Sequence, residues 1–442
     1  MNKKPLHIGF ISTRFSGTDG VSLEAKKWAD VLSNEFGHLC FYFSGKSDYP
    51  KEQSMIEPLA YYRHPEIKQK HDAFFSSEQR KAEDTFWLFE VKNTIKNKLL
   101  EFNRRFDINI WIIENALAIP LHIPLGWAIT EIVAETGIPT IAHHHDFSWE
   151  RKRFLINCIE DYIDMSFPPT LEAIQHVVIN SHAHHELARR RGTNAMLIPN
   201  VMNYLEQPPG ADEYNSDLRH TLGVKDDELF ILQPTRIIER KGIEHAIELV
   251  QRLGRKAQLV ISHASGDEGD DYARRINQYA ELLGVSIICA DKYFDQERGR
   301  TDDGHKIYSI SDAYTQADLV TYPSEFEGFG NAFLEAVYFR KPIVVNNYSI
   351  YSTDIKPKGF KVIEFDNFVT DKTIADTISL LNNKQQIEDW TGINFQLAKR
   401  YFSYEILKAK LSILLANAIG VNGVVPISLR KTKSLINTLE SK

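Results

Sequence analysis

The sequence predicts an α/β fold class with two Rossmann-like, doubly wound domains that face a cleft. Short apolar runs alternate with amphipathic helical runs along most of the chain, a rhythm typical of βαβ units and a parallel sheet. The 442 residues exceed what one ordinary hydrophobic core holds, so two or three domains are expected. A polar segment with a Pro-Pro-Gly turn interrupts the rhythm near the middle of the chain. Together these observations favour two large domains joined by a linker.

The first domain is expected to cover residues 1–203. It opens with the strand-like run LHIGFIST, continues with a helical run that ends at Gly37, and reaches a second strand in LCFYFSG. A longer helical stretch has one apolar face, formed by Leu88, Val91, Ile95, Leu99 and Phe102. Further buried strands are predicted in INIWIIE, PTIAHHHD, HVVINS and AMLIPN.

Residues 204–218 are expected to form a linker, because they are polar and contain Pro208, Pro209 and Gly210. The alternation resumes in LFILQPT and continues through AQLVISH, VSIICA, DLVTYPS and KPIVVNN. This predicts a second Rossmann-like domain over residues 219–400. Residues 401–442 are expected to form a C-terminal helix that packs back toward the first domain, followed by a tail.

Composition excludes several functional classes. The net charge of −7 argues against a nucleic-acid-binding surface. No apolar run approaches the ~20 residues of a membrane span, and the N-terminus lacks the cleavage site of a secretory signal, so a cytoplasmic protein without an integral membrane segment is expected. Cys40, Cys158 and Cys289 lie far apart without a CxxC pair, which argues against a disulfide framework and a cysteine zinc site. The oligomeric state stays open.

The stretch SEFEGFGNAFLEA, residues 324–336, carries two acids around a Gly-Phe-Gly turn. Glu327 precedes the turn, and Glu335 falls in the first turns of the helix that follows it. Glycines let a ligand approach the main chain closely, and a helix N-terminus offers unpaired N–H groups to an anion. The pattern predicts a site for a polar ligand with an anionic part.

A second motif, PTRIIERKG, places Arg236 and Lys241 between a strand exit and a helix start. Guanidinium and ammonium groups beside helix N–H groups suit a leaving diphosphate, which gains charge as its bond breaks. Alone, two such cations are usually surface charges. Combined with the acidic motif about ninety residues later, they favour a binding site.

The strand ends of the first domain carry further polar residues. Gly17 and Gly20 in STRFSGTDG could cradle a phosphate or a sugar, but the segment is not GxGxxG, so a dinucleotide site is poorly supported. His143, His144 and His145 alternate across the sheet and therefore cannot all face one ion. We expect no bound metal.

The Glu-x7-Glu motif EGFGNAFLE, the R-x4-KG signal from Arg236 to Gly242, the IPN that closes the first domain, and the HHHD strand end resemble the retaining nucleotide-sugar glycosyltransferases of family 4, which have the GT-B fold. The resemblance covers residues 7 to 415. Arg340 stands where that family usually has glycine, and Val201 follows Pro199-Asn200 where it has PNG. These departures bear on the subfamily rather than on the reaction type.

The resemblance implies a role for each matching residue. Arg236 and Lys241 would grip the donor diphosphate, Glu335 would hold the ribose hydroxyls, and Glu327 would contact the transferred sugar. His145 would lie against that sugar near the reacting carbon. The other implied donor-binding positions are Gly20, Gly328, Phe329, Gly330 and Asn331.

The resemblance also implies a same-face displacement that retains the anomeric configuration, in which Glu327 positions sugar hydroxyls rather than attacks carbon. Cationic side chains and helix dipoles would replace a divalent ion, so no cofactor is expected beyond the nucleotide-sugar co-substrate. Mg²⁺ accompanying the nucleotide is expected at most to stimulate.

The acceptor is expected to be a small hydrophilic molecule bound by the first domain. An aromatic platform among polar groups suits such a ligand, and arginines could take its carboxylate or phosphate. The candidate residues are Glu114, Asn115, Asp146, Trp149, Arg151 and Arg153. The segment HHHDFSWERKRF is similar to enzymes that make compatible-solute glycosides, in particular mannosylglucosylglycerate synthases, which implies GDP-mannose as donor and glucosylglycerate as acceptor.

Other readings stay open at this stage. UDP- or ADP-glucose could replace GDP-mannose as the donor. A trehalose-type glycoside phosphorylase shares the fold and the motifs, and would be recognised by phosphate-dependent release of a sugar phosphate. A glycan or lipid-linked sugar transferase would show a basic and hydrophobic helix on the first domain.

Overall fold

The structure is a computed structural model that describes residues 4–17, 19–265, 271–295 and 297–420. It is an α/β protein with two compact units. The chain passes from the first unit to the second between Pro199 and Asn200, and returns to the first between Ser403 and Tyr404. The corresponding boundaries predicted from the sequence are residues 203 and 400.

The first unit is built on a seven-stranded sheet in which all neighbouring strands are parallel, in the order β3-β2-β1-β4-β5-β6-β7. Its strands are β1 His7–Ile11, β2 Leu39–Ser44, β3 Ser54–Ile56, β4 Ile110–Glu114, β5 Thr140–His144, β6 Ile174–Val178 and β7 Ala195–Leu197. Every residue of β4 and β5 is buried. These central strands are apolar along most of their length because helices cover both faces of a parallel sheet.

The helices before residue 199 are α1 Gly20–Asn34, α2 Pro65–Phe74, α3 Ala82–Arg105, α4 Ile123–Thr136, α5 Glu160–Ser166 and α6 Ser181–Arg191. The apolar face predicted for the long helix lies in the core, with Leu88, Ile95, Leu99 and Phe102 fully buried on α3. The sequence analysis did not identify α4. Most residues of α4 are buried, so it lacks the polar stripe that reveals an amphipathic helix.

The second unit contains a six-stranded parallel sheet in the order β10-β9-β8-β14-β15-β16 and a small three-stranded sheet in the order β11-β13-β12. The strands are β8 Leu229–Gln233, β9 Ala257–Ile261, β10 Ile287–Cys289, β11 Phe294–Asp295, β12 Gly299–Arg300, β13 Lys306–Ser309, β14 Leu319–Tyr322, β15 Ile343–Asn346 and β16 Ile363–Phe365. The helices are α7 Leu218–Thr221, α8 Ile243–Arg252, α9 Asp271–Leu283, α10 Ile310–Gln316, α11 Asn331–Tyr338, α12 Asp371–Leu381 and α13 Lys384–Tyr401.

The last described helix, α14 Tyr404–Ile419, belongs to the first unit. It packs against α1, where Lys408 forms an ion pair with Glu35, and Gln175 Nε2 donates to the Leu414 carbonyl at 3.1 Å. The tail predicted beyond this helix, residues 421–442, lies outside the described residues. Within the described ranges, no helix combines the length and the apolar character needed to cross a membrane.

Candidate active site

The carboxyl ends of β8 and β14 bring together the two motifs of the second unit. These strands are parallel neighbours, so the segments that follow them leave the sheet at the same edge. Lys241 Nζ donates to Glu327 Oε1, although 86 positions separate the two residues in the sequence. Arg240 Nη1 donates to Glu327 Oε2 at 3.3 Å. Two cations therefore contact one carboxylate.

A glycine allows this close approach. Gly242 has φ +56°, and a Cβ on it would lie 2.6 Å from the Pro323 carbonyl oxygen at the end of β14. In the same place the Glu325 N–H donates to the Arg240 carbonyl at 2.9 Å. The KG dipeptide of the motif thus has a local reason, because a side chain at Gly242 would separate the two loops.

Both Lys241 and Glu327 are buried, so the ionised form of each is stabilised mainly by the opposite charge of its neighbours. Burial alone would raise the pKa of Glu327, but Lys241 and Arg240 outweigh it and lower this pKa to about 2. Burial lowers the pKa of Lys241, and the Glu327 carboxylate opposes that shift only in part. Glu327 is accordingly an anion at neutral pH with little tendency to accept a proton or to attack carbon.

The Gly-Phe-Gly turn after Glu327 leads directly into α11. Gly330 has φ +128°, and a Cβ there would meet the Tyr348 hydroxyl, which donates to the Phe329 carbonyl at 2.9 Å. The helix begins at Asn331, whose side-chain oxygen accepts from Asn200 Nδ2 at 2.7 Å. Gly328 is half-buried at the start of this turn. The backbone N–H groups of the turn and the first helical residues are placed as an anion-binding site requires.

Glu335 is half-buried one turn into α11, where its Oε2 accepts from the Tyr314 hydroxyl at 2.9 Å. Arg236 is exposed on the segment between β8 and Lys241. His263 follows β9, the neighbour of β8 on the other side. Burial, and after it the positive charges of Arg236 and Lys241, lower the pKa of His263, so a third strand end contributes to the same cationic edge.

In the first unit, the ends of β4 and β5 form a buried cluster of Glu114, His143 and His145. Glu114 is fully buried and lies opposite His143 in the parallel register. Its Oε2 is 3.0 Å from His143 Nδ1 and 3.4 Å from His145 Nε2. Burial opposes ionisation of Glu114, but the two imidazoles outweigh it and hold the pKa of this carboxyl below its ordinary value. Burial would lower the pKa of His145, whereas Glu114 raises it above the ordinary value.

His144 points to the opposite face of the sheet, as the predicted alternation requires. Its Nε2 lies 2.9 Å from Nδ1 of His176 on β6. Burial, and after it the neighbouring imidazoles, hold the pKa of His144 well below the ordinary value. The three consecutive histidines thus divide into a Glu114-bonded pair and one structural residue.

Asn115 and Asp146 continue the cluster toward the surface. Asn115 has φ +58°, and its side chain accepts from the His145 N–H at 3.0 Å and donates to Asp146 Oδ1 at 2.9 Å. Asp146 in turn forms an ion pair with Arg151, which is largely exposed. These contacts join four of the predicted first-unit residues in one network with His145.

The other predicted first-unit residues lie apart from this network. The Trp149 ring stacks on Phe147 at 4.4 Å, and Arg153 lies 4.7 Å from the centre of the Phe154 ring. Gly20 is the first residue of α1, whose N-cap Asp19 accepts from the Val21 and Ser22 N–H groups.

Glu114, His143 and His145 also have the composition of a metal-binding set, with their ligand-type atoms within 4.8 Å of one another. No other group of this kind was found among the residues that the structure describes. Each histidine nitrogen of this set lies at hydrogen-bonding distance from Glu114 Oε2. The two imidazoles therefore serve as hydrogen-bond partners of Glu114 Oε2.

Three polar groups of the second unit were not predicted from the sequence: Arg240, Tyr314 and His263. Arg240 carried a usable signal, since it directly precedes Lys241 in the motif. Tyr314 and His263 lie in a helix and after a strand that have no motif of their own. The tertiary fold places Tyr314 beside Glu335, and the strand order places His263 near Arg236 and Lys241.

The buried Lys241–Glu327 pair makes a prediction about stability. Lys241→Met and Glu327→Gln should each lower the free energy of unfolding by about 3 kcal/mol, because each leaves a buried charge poorly compensated. The double variant should lose less than the sum, with a coupling of about 0.5–3 kcal/mol. Urea unfolding of the four proteins measures this. The exposed Lys68–Asp72 pair, changed to Met and Asn, serves as the control and should show a coupling of at most about 0.5 kcal/mol. Additive losses at Lys241 and Glu327 would contradict the arrangement.

The sequence profile of the family described as glycosyl transferases group 1 matches residues 304–391, the part of the second unit that contains Glu327 and Glu335. Mannosylglucosylglycerate synthase from Petrotoga mobilis is 31% identical over 380 residues, which cover 81% of this chain and 86% of that protein. Mannosylglucosylglycerate synthase from Thermotoga maritima is 29% identical over 445 residues, which cover 92% of this chain and 99% of that protein.

Solved structures resemble the fold over nearly the whole chain. A glycosyltransferase from Rickettsia africae has a TM-score of 0.64 at 14% identity, covering 93% of this chain and 98% of that chain. Anabaena HepE has a TM-score of 0.59 at 14% identity, covering 93% and 100%. These likenesses confirm the predicted GT-B fold. The 31% identity to the Petrotoga protein and the matching family profile show that the chain belongs to the group 1 glycosyltransferases and is a hexosyltransferase.

Proposed function

We propose that this protein is a retaining mannosyltransferase that moves mannose from GDP-mannose to glucosylglycerate and forms an α-glycosidic bond. The observation that carries the proposal is the 31% identity with a mannosylglucosylglycerate synthase over most of both chains. The paired strand-end motifs of the second unit and the polar network of the first unit are compatible with this chemistry.

The donor diphosphate is bound by the second unit. Arg236 and Lys241 supply positive charge, and the N–H groups from Gly328 to Asn331 supply hydrogen-bond donors at the start of α11. In the free protein Glu327 compensates Lys241, so the lysine is held in place before the donor arrives. As the sugar–oxygen bond breaks, the charge that develops on the diphosphate is stabilised by groups already oriented for it.

Glu327 positions the transferred sugar by accepting hydrogen bonds from its hydroxyls. A carboxylate with a pKa of about 2, neutralised by Lys241 and Arg240, is a weak nucleophile but a good hydrogen-bond acceptor. This supports a same-face displacement, in which the acceptor hydroxyl attacks beside the departing diphosphate and a diphosphate oxygen takes its proton. Glu335, oriented by the Tyr314 hydroxyl, accepts hydrogen bonds from the ribose.

The acceptor is bound by the first unit. Glucosylglycerate carries a carboxylate, and Arg151 is the cation of the network that is largely exposed. Its ion pair with Asp146 orients the guanidinium without burying it. Asp146 can also accept a hydrogen bond from an acceptor hydroxyl.

Product analysis tests the proposed function. The purified protein is incubated with glucosylglycerate and, separately, GDP-mannose, UDP-glucose or ADP-glucose, and the products are measured by mass spectrometry. We expect addition of one hexose to glucosylglycerate and release of an equal amount of GDP, with GDP-mannose as the best donor. Phosphate-dependent release of a sugar phosphate from a disaccharide would instead identify a phosphorylase. Transfer confined to a lipid-linked acceptor would identify a glycan transferase.

Substitution of Arg236 tests the proposed binding of the donor diphosphate separately from any effect on protein stability. Arg236→Ala should lower kcat by about a hundredfold, because we expect the side chain to stabilise the leaving diphosphate in the transition state by roughly 3 kcal/mol. Its free energy of unfolding should change by at most about 0.5 kcal/mol, because Arg236 is exposed. Steady-state kinetics and urea unfolding measure both. Arg255→Ala, an exposed arginine before β9, is the control and should keep full turnover. Normal turnover in Arg236→Ala would remove this residue from the mechanism.

Metal independence and stereochemistry can be tested in one experiment. If cationic side chains hold the diphosphate, most activity should persist in excess EDTA, although Mg²⁺ accompanying the nucleotide can stimulate. If attack occurs on the face that the diphosphate leaves, an α-linked donor must give an α-linked product. The anomeric proton coupling of product formed in EDTA reports both. An inverted linkage would exclude the retaining mechanism, whereas lost activity restored by Mg²⁺ would exclude only metal independence.

A further inference from the structure

We propose that Glu114 is a positioning residue, which holds the imidazole of His145 in one orientation and one tautomer and touches neither substrate. The sequence pattern placed Glu114 among the acceptor-binding candidates. The inference rests on the proposed function in one respect, the role of His145 against the transferred sugar.

The burial of the cluster argues against direct acceptor binding by Glu114. The side chains of Glu114 and His143 are 0% and 1% exposed, whereas that of His145 is 10% exposed. Of these three residues, His145 is the one that reaches the surface. A ligand at the strand ends can contact His145, while Glu114 can act only through it.

The hydrogen bonds define the tautomer. An ionised carboxylate only accepts hydrogen bonds, so each ring nitrogen that faces Glu114 Oε2 must carry a proton. His143 therefore donates from Nδ1 at 3.0 Å, and His145 donates from Nε2 at 3.4 Å. With its proton fixed on Nε2, His145 is left with Nδ1 as the nitrogen that is not engaged by Glu114. A carboxylate that orients a histidine in this way is a general device in active sites.

The surroundings keep Glu114 itself in place. The His143 ring stacks on Trp28 of α1, with ring centres 4.2 Å apart and planes 23° apart, so the partner of Glu114 is fixed from the other side. Ser12 Oγ donates to the Glu114 carbonyl at 2.9 Å.

The neighbouring residue fixes the backbone of His145. Asn115 Oδ1 accepts from the His145 N–H at 3.0 Å, and the Asn115 N–H donates to the His143 carbonyl at 2.9 Å. The dipeptide at the end of β4 thus orients both the ring and the main chain at the end of β5. A role in positioning explains why both members of this dipeptide face His145.

Glu114→Gln and Glu114→Ala distinguish loss of the negative charge from loss of the hydrogen-bond acceptor that orients His145. Both imidazoles contact Oε2, while Glu114 Oε1 has no hydrogen-bond partner among the residues that the structure describes. In Glu114→Gln, a carbonyl oxygen can take the place of Oε2 and keep both contacts, whereas Glu114→Ala removes them. We expect kcat to fall about a hundredfold in Glu114→Ala and about tenfold or less in Glu114→Gln, with the KM values for donor and acceptor within about twofold of the wild type. Glu131→Gln, which alters an ion-paired carboxylate on α4, is the control and should leave kcat unchanged.

A substrate-free measurement keeps the inference independent of the proposed reaction. Nitrogen-15 NMR of histidine-labelled protein is recorded at a pH above the pKa of His145, where the ring is neutral, and the His145 signal is assigned by its loss in His145→Gln. It should show the Nε2–H tautomer in the wild type and in Glu114→Gln, and a mixture in Glu114→Ala. If no glycosyl transfer occurs under any condition, this result still decides the positioning claim. A raised acceptor KM with unchanged kcat in the Glu114 variants would overturn it in favour of direct acceptor binding. A stoichiometric bound metal ion that is lost in Glu114→Gln would overturn it in favour of a metal site.

Discussion

Parallel pairing of neighbouring strands is the constraint on which the polar cluster of each unit depends. In the second unit it places Lys241 and Glu327 in contact, and in the first it places Glu114 opposite His143. In a parallel sheet the carboxyl ends of adjacent strands meet at one edge, so residues far apart in the chain become neighbours without any long loop. Each cluster is therefore as rigid as the sheet that carries it, which suits groups that must be oriented before a substrate binds.

The two units solve the same electrostatic problem in different ways. Each buries a carboxylate at a strand end, and a buried carboxylate is costly unless it is paired and hydrogen-bonded. Glu327 is neutralised by a lysine and an arginine, which depress its pKa to about 2. The Glu114 carboxylate contacts the imidazoles of His143 and His145, which hold its pKa below the ordinary value. The first arrangement concentrates positive charge beside an anion-binding turn, whereas the second orients a histidine with little net charge.

Much of the fold was predictable because its central strands are buried on both faces. The runs LFILQ, LVTY, IWIIE and TIAHH stand out from their surroundings as apolar segments, and each forms a strand within about two residues of the predicted ends. The three-residue strands β3 and β16 were not predicted, because polar and charged residues surround their short apolar segments. Strands β7 and β10 have the same length but lie in the longer apolar runs AMLI and VSIICA, which the sequence reveals. The small sheet β11-β13-β12 was not predicted either, because two of its strands have only two residues each.

The candidate site was predictable where a residue's role follows from its own motif, and not where it follows from a neighbouring strand. Glu327 and Lys241 could be singled out because each lies in a glycine-containing strand-to-helix turn, although nothing in either motif indicates that they pair. Glu114 was predicted to bind the acceptor because it is a polar residue at a strand end, the usual position of a ligand contact. The burial of Glu114 depends on two tertiary features that the sequence does not show. The strand register places Glu114 opposite His143, and the Trp28 ring stacks on that histidine. The distinction between a residue that touches a ligand and one that supports it therefore depends on tertiary packing, which a local pattern does not contain.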